Sequence, residues 1–134
     1  MKYYDIDDRD RQLIQAACNA IERVYRDPQH TVGSAVMTSS GMIFIGVNIE
    51  SCGYGPCAEP VAIGRAITDG EQAIERIVAV HGAHEPFNII PPCGNCRQLI
   101  HDYFPDCMVI IMHEGKPVKV KIGELLPEAY SLFD

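Results

Sequence analysis

Apolar positions change their period several times along the chain. Leu13, Ile14, Ala17, Ile21 and Val24 recur at helical spacing behind the acidic opening Asp7 and Asp8. That stripe predicts an amphipathic helix from about Asp7 to Tyr25. The runs TVGSAVMT and MIFIGVNI are rich in β-formers and flank Ser39, Ser40 and Gly41, the signal of a hairpin. Next come CAEPVAIGRAI as a helix, RIVAVHG as a buried strand, CGNCRQLIHDYF as a helix and CMVIIMH as another buried strand. PVKVKI and ELLPEAY close the chain as a strand and a short helix.

Strands alternating with helices imply an α/β, three-layer sandwich: a mixed five-stranded sheet with helices on both faces. Only Glu114, Gly115, Lys116 and Pro117 separate the last two strands. So short a connection excludes a helical crossover and makes that pair antiparallel. No repeat, linker or low-complexity tract divides the 134 residues, so residues 1–134 are expected to form one domain burying roughly 68–70% of its unfolded surface.

Composition narrows the partners. A formal net charge of −7 argues against tracking a nucleic acid polymer, which calls for clustered Lys and Arg. The one basic cluster, Lys116, Lys119 and Lys121, falls on the last strand and reads as an edge guarded by lysines. The longest apolar run, Met108 to Met112, is too short to cross a bilayer, and the start MKYYDIDDRDRQ does not resemble a secretory leader. The expectation is a soluble cytoplasmic protein. In a reducing compartment six cysteines point to metal ligands, catalytic thiols or small core residues before disulfides.

GPCAEP and PPCGNCRQL bring three of those cysteines near one acid, Glu59. Disulfide framework, structural zinc knot, redox pair and catalytic metal site all begin from such a set. Cys57 opens the second helix, and Cys93 and Cys96 the third. At a helix N-terminus, free N–H groups and the dipole favour thiolate over thiol. Three thiolates and a water complete a tetrahedron around Zn2+, and an open fourth position is the mark of a catalytic zinc. Glu59, two residues after one ligand, can lie beside that position as a general acid and base. A carboxylate early in a helix is otherwise only a dipole partner, a reading that loses force beside three ligands.

The pair Cys57-Ala58-Glu59 and Pro92 to Gln98 (P-C-G-x-C-R-Q) resembles the double signature of the cytidine deaminase superfamily, in its three-cysteine branch. The resemblance runs from about Ile14 to Tyr130. It implies Zn2+ on Cys57, Cys93 and Cys96, with Glu59 moving protons in hydrolytic deamination at C4 of a cytosine ring. It also implies that backbone groups near Ala58 and the turn before Cys93 hold the ring. The antiparallel final hairpin is similar to the small, free-nucleoside branch, so a small-molecule nucleoside is the expected substrate. Phe44 to Glu50 (F-I-G-V-N-I-E) resembles the motif whose Asn48 and Glu50 bind ribose hydroxyls, with Phe44 in the same substrate-side segment. These likenesses also imply a homo-oligomer, a tetramer completing its sites between subunits.

Two relatives in that branch compete. Glu50 favours cytidine over blasticidin S, whose sugar carboxylate it would repel. The short segment SCGYGP and Pro60 after Glu59 look more like blasticidin S deaminase. Many cytidine deaminases carry Arg where Pro60 stands, so helix N-termini, Arg97 and Arg65 are left to offset the thiolate charge. Tyr54, Phe87 and Tyr130 suit either a base or an interface. Cys18 and Cys107 read as core or boundary thiols, Cys52 as a loop thiol, and His81 and His84 as loop residues. Two other classes stay in view: a noncatalytic zinc-stabilised binding domain, which has no need of Glu59, and a redox protein using Cys93 and Cys96, which has no need of Cys57.

Overall fold

The computed structural model describes residues 1–131. Its elements in order are β1 (Tyr4–Asp5), α1 (Asp8–Val24), β2 (Val32–Thr38), β3 (Ile43–Val47), α2 (Ala58–Thr68), β4 (Ile74–His81), β5 (Asn88–Ile90), α3 (Gly94–Tyr103), β6 (Met108–His113), β7 (Lys116–Lys121) and a 3-10 turn (Ile122–Leu125). The sheet has seven strands, ordered β1-β7-β6-β4-β2-β3, with β5 pairing the far end of β4. Five of these are the expected strands. β1 and β5 are additional, two and three residues long, below the length at which alternation is readable.

β4 and β6 run parallel and β6 and β7 antiparallel, as the short connection requires. Their turn is tighter than expected, since Lys116 and Pro117 already belong to β7. Glu114 and Gly115 both take positive φ, 50° and 81°, the conformation of a two-residue hairpin turn matched to strand twist.

Alternation along the strands divides the core between the two faces. Ala35, Met37, Val78, Val80 and Ile110 face Leu13, Ala17 and Ile21 of α1. Their neighbours Val36, Ile77 and Val109 pack on the opposite side with Ala62 and Ile63 of α2 and Ile100 of α3. Gly46 sets how closely α2 approaches. A Cβ there would meet the Ala62 backbone nitrogen at 2.5 Å and the Val61 carbonyl carbon at 2.9 Å, so the helix backbone rests on β3 itself.

Two expectations are corrected. β7 is not an edge guarded by lysines, because β1 covers it through Tyr4↔Lys119 and Asp5↔Val118. Lys119 turns into an ionic network. Its Nζ lies 2.8 Å from Asp10 and 3.6 Å from Asp7, and Arg76 Nη1 lies 2.8 Å from each of the same acids. The closing helix over ELLPEAY is instead the 3-10 turn ending at Leu125. Pro127 disfavours helical backbone in the residue before it, and Leu126 sits at φ −147° and ψ 64°.

Asp10 has no exposed surface, and with Asp7 it forms a capping box at the start of α1. The network therefore joins α1 to β4 and β7 through buried charge. Removing one partner leaves charge uncompensated, although Lys119 stays beside Asp10. Arg76→Ala is expected to cost about 3 kcal/mol in urea unfolding. A loss under about 0.5 kcal/mol, typical of neutral surface changes, would remove this network as a stabilising element.

Candidate metal and catalytic site

β3 leads to α2 and β5 leads to α3, and both helices begin at the same end of the sheet. Cys57 is the N-cap of α2 and Cys93 the N-cap of α3, with Cys96 in the first turn. The three Sγ atoms lie within 4.8 Å of one another. Cys57 to Cys93 is 3.5 Å and Cys93 to Cys96 is 3.3 Å. Sulfurs around a tetrahedral zinc at about 2.3 Å stand about 3.8 Å apart, so the trio fits that ion with small adjustments. A disulfide at about 2.05 Å is not formed, and all six cysteines are free thiols.

Electrostatics distinguish the three sulfurs. Burial opposes ionisation at Cys93, but N–H groups of Cys96 and Asn95 and the neighbouring thiols lower its pKa. Burial raises Cys57 and Cys96, and the Glu59 charge adds to the rise in each. Without a cation the cluster resists holding three negative charges, and a divalent ion reverses that balance.

Glu59 is 5% exposed, in the first turn of α2. Behind it stand Ile77, Val78 and Ala79 of β4, Ile90 and Pro92, and Val109 and Ile110 of β6. Burial raises its pKa, and its own N–H and the Cys96 thiol offset part of that rise. In front of it opens a cavity of about 180 Å³, whose lining includes Cys57, Ala58 and Cys93 with Glu59, together with Thr31, Val32, Asn48, Glu50, Ile90 and Pro91. A buried carboxyl beside three thiols, on a cavity open to solvent, is suited to moving protons at a metal-held water.

The model of the family described as the cytidine and deoxycytidylate deaminase zinc-binding region matches residues 7–112. The chain belongs to the cytidine and deoxycytidylate deaminase family. It is 39% identical over 138 residues to a blasticidin-S deaminase of Bacillus cereus, covering 98% of this chain and 99% of that protein. A cytidine deaminase of Halalkalibacterium halodurans is 34% identical over 131 residues, covering 93% and 97%. The crystal structure of cytidine deaminase from Burkholderia pseudomallei superposes with a TM-score of 0.75 at 32% identity, covering 90% of this chain and 98% of that one. Like its relatives, this deaminase is a zinc-dependent enzyme.

The remaining sequence-predicted residues separate into those on the cavity and those elsewhere. Asn48 and Glu50 line it, but β3 ends at Val47, so they stand on the segment after the strand. Asn48 is buried, and its Oδ1 accepts from the N–H groups of Thr31 and Val32 at 2.8 and 2.9 Å. Its Nδ2 donates to Thr31 Oγ1 and to Glu50 Oε1, each at 3.3 Å. Phe44 is not on the cavity. It lies buried among Val36, Ala62 and Ile63, because it shares the face of β3 on which α2 rests.

Tyr54 is 82% and Tyr130 75% exposed, and neither lines the cavity. The Tyr130 carbonyl accepts from Gln98 Nε2 at 2.9 Å. Cys52 is exposed and stands apart from the thiol trio, in a neighbouring hollow with Asp27, Glu50 and His81. His84 Nδ1 donates to the Glu85 carbonyl, and among the described residues no histidine joins a metal-binding group. Burial raises the Cys18 and Cys107 pKa values to about 11 and about 12, which leaves them inert core thiols.

The charge question raised by Pro60 divides between two arginines. Arg97 donates from Nε to the Pro92 carbonyl at 2.8 Å and from Nη1 to the Leu125 carbonyl at 3.1 Å, holding a cation against the turn that carries Cys93. Arg65 is exposed in the last turn of α2, about 12 Å along the helix from Cys57 at 1.5 Å per residue. Thr31, Val32, Ile90 and Pro91 line the cavity and were not among the expected site residues. The pair Pro91-Pro92 before CGNC was the available signal, since it forces an extended approach to α3.

Metal content tests the trio. Cys96→Ser removes the most buried of the three sulfurs and is expected to lose the single bound zinc and lower thermal stability, since metal binding is coupled to folding. Full zinc occupancy in Cys96→Ser, measured by elemental analysis after desalting, would contradict the ligand set.

Proposed function

We propose that the chain deaminates a cytosine-ring nucleoside, converting cytidine or deoxycytidine and water to uridine or deoxyuridine and ammonia. The observation that carries this reading is the buried Glu59 carboxyl beside three convergent thiols, on a cavity that Asn48 and Glu50 also line. Zinc on Cys57, Cys93 and Cys96, when bound, supplies a water acid enough to lose a proton near neutral pH. Glu59 takes that proton and gives it to N3 as the water's oxygen bonds to C4. It then takes the proton of the new C4 hydroxyl and hands it to the amine, so that the C4–N bond breaks, ammonia leaves and the C4 carbonyl forms. Burial favours its protonated form, which suits a carboxyl that must both hold and release a proton. Ala58 and the Pro92 turn offer backbone groups to the ring, and Glu50 offers an acceptor to sugar hydroxyls.

The acidic surface favours a diffusible substrate over a polymer, and a cytoplasmic homotetramer is the assembly proposed. Tyr54 and Tyr130, both exposed, are aromatic groups available for subunit contact. Blasticidin S is the second reading, favoured by the 39% identity to the Bacillus cereus enzyme. Glu50 weighs against it through repulsion of that drug's carboxylate.

Glu59→Gln should keep zinc and fold while turnover falls by about 10²–10⁴, the range for a positioned acid and base. Near-normal ammonia release from that variant would move proton transfer to another group. For the wild type, kcat/KM is expected to rank cytidine above both blasticidin S and free cytosine. A preference for blasticidin S would reverse the two readings.

A further inference from the structure

The turn between α1 and β2 is stitched to the segment carrying Asn48 and Glu50. Arg26 and His30 exchange both backbone hydrogen bonds, at 2.9 and 2.8 Å, and the Gln29 carbonyl accepts from the Glu50 N–H at 3.1 Å. The half-buried His30 ring adds a side-chain tie, its Nδ1 lying 2.9 Å from the Asn48 carbonyl oxygen. A carbonyl only accepts, so Nδ1 carries the proton. His30 does not line the cavity.

Asn48 in turn has no spare acceptor. Both N–H groups on its Oδ1 come from residues 31 and 32, immediately after His30, and its Nδ2 reaches Glu50 Oε1. Glu50 is thereby held twice, its carboxylate by Asn48 Nδ2 and its backbone N–H by the Gln29 carbonyl, in one small network whose imidazole is His30.

We infer that His30 is a specificity-determining positioning residue: by donating from Nδ1 to the Asn48 carbonyl it orients Glu50 towards the sugar hydroxyls of the substrate. The inference rests on the nucleoside reading above. Its effect belongs to sugar recognition and not to proton transfer at the ring, because His30 contacts neither Glu59 nor the thiols.

The test compares cytidine with 2′,3′-dideoxycytidine, which has the same ring and 5′-hydroxyl but lacks the 2′- and 3′-hydroxyls assigned to Glu50. In His30→Ala, KM for cytidine should rise roughly three- to ten-fold, the usual worth of one lost hydrogen bond, with kcat nearly unchanged. Kinetics on dideoxycytidine should stay near wild type. An asparagine amide can occupy the place of Nδ1 and a glutamine amide that of Nε2, so His30→Asn should restore the cytidine KM and His30→Gln should not. Equal losses on both nucleosides, or equal behaviour of the Asn and Gln variants, would overturn the positioning role. Zinc content and melting temperature of each variant separate such losses from misfolding. A wild type that deaminates neither nucleoside refutes the nucleoside reading itself, a different outcome from deamination of both with no His30 effect on their ratio.

Discussion

Three thiolates and a carboxylate repel one another, and the site depends on bringing them together regardless. The device is the meeting of two helix N-termini. Each end contributes unpaired N–H groups and the positive pole of its dipole; these favour the thiolate at Cys93, whereas burial holds Cys57 and Cys96 as thiols until a cation binds. A divalent ion then leaves a net charge of about −1 on the trio. With Pro60 beside Glu59, the first turn of α2 carries no arginine. Arg97, clamped to the Pro92 and Leu125 carbonyls, is the candidate cation on the other helix.

That convergence needs the sheet to hold both helices at one height. Gly46 lets the α2 backbone settle onto β3, and the packing of Ile77 and Val109 against both helices keeps their starts in register. On the opposite face α1 is pinned through Asp7 and Asp10 to Arg76 and Lys119. Arg76 stands on β4, next to Ile77 and Val78, which back Glu59. One central strand thus carries the buried ionic network at one end and the wall behind the carboxylate farther along.

Much of this was legible from residue spacing. The helix from Asp7 to Tyr25 is bounded by its N-cap and C-cap at those residues, since an acidic cap and a helical stripe are local signals. The thiol trio was legible because CAE and CGNC each mark a helix start, and among the described residues two helices, α2 and α3, begin at that end of the sheet. What escaped was short or tertiary. β5 spans three residues, yet Ile90 walls the cavity. Phe44 has the same local sequence whether it faces a substrate or α2, and Gly46 beside it decides for the helix. Lys119 belongs to a lysine-bearing strand by its neighbours and to a buried ion network only by its distance from Asp10. The motif marks Asn48 as a ribose-binding residue, and its four side-chain hydrogen bonds also make it the anchor on which Glu50 stands.

The central claim is that a single ion on the convergent thiols, served by Glu59, accounts for the chemistry. Its most direct test removes the metal with a chelator, returns zinc in known fractions of an equivalent, and measures ammonia released from cytidine against zinc bound. Activity should be absent from the metal-free chain, rise in proportion to bound zinc and level off at one ion per chain. Deamination by the metal-free chain, or none with the zinc site filled, would contradict it.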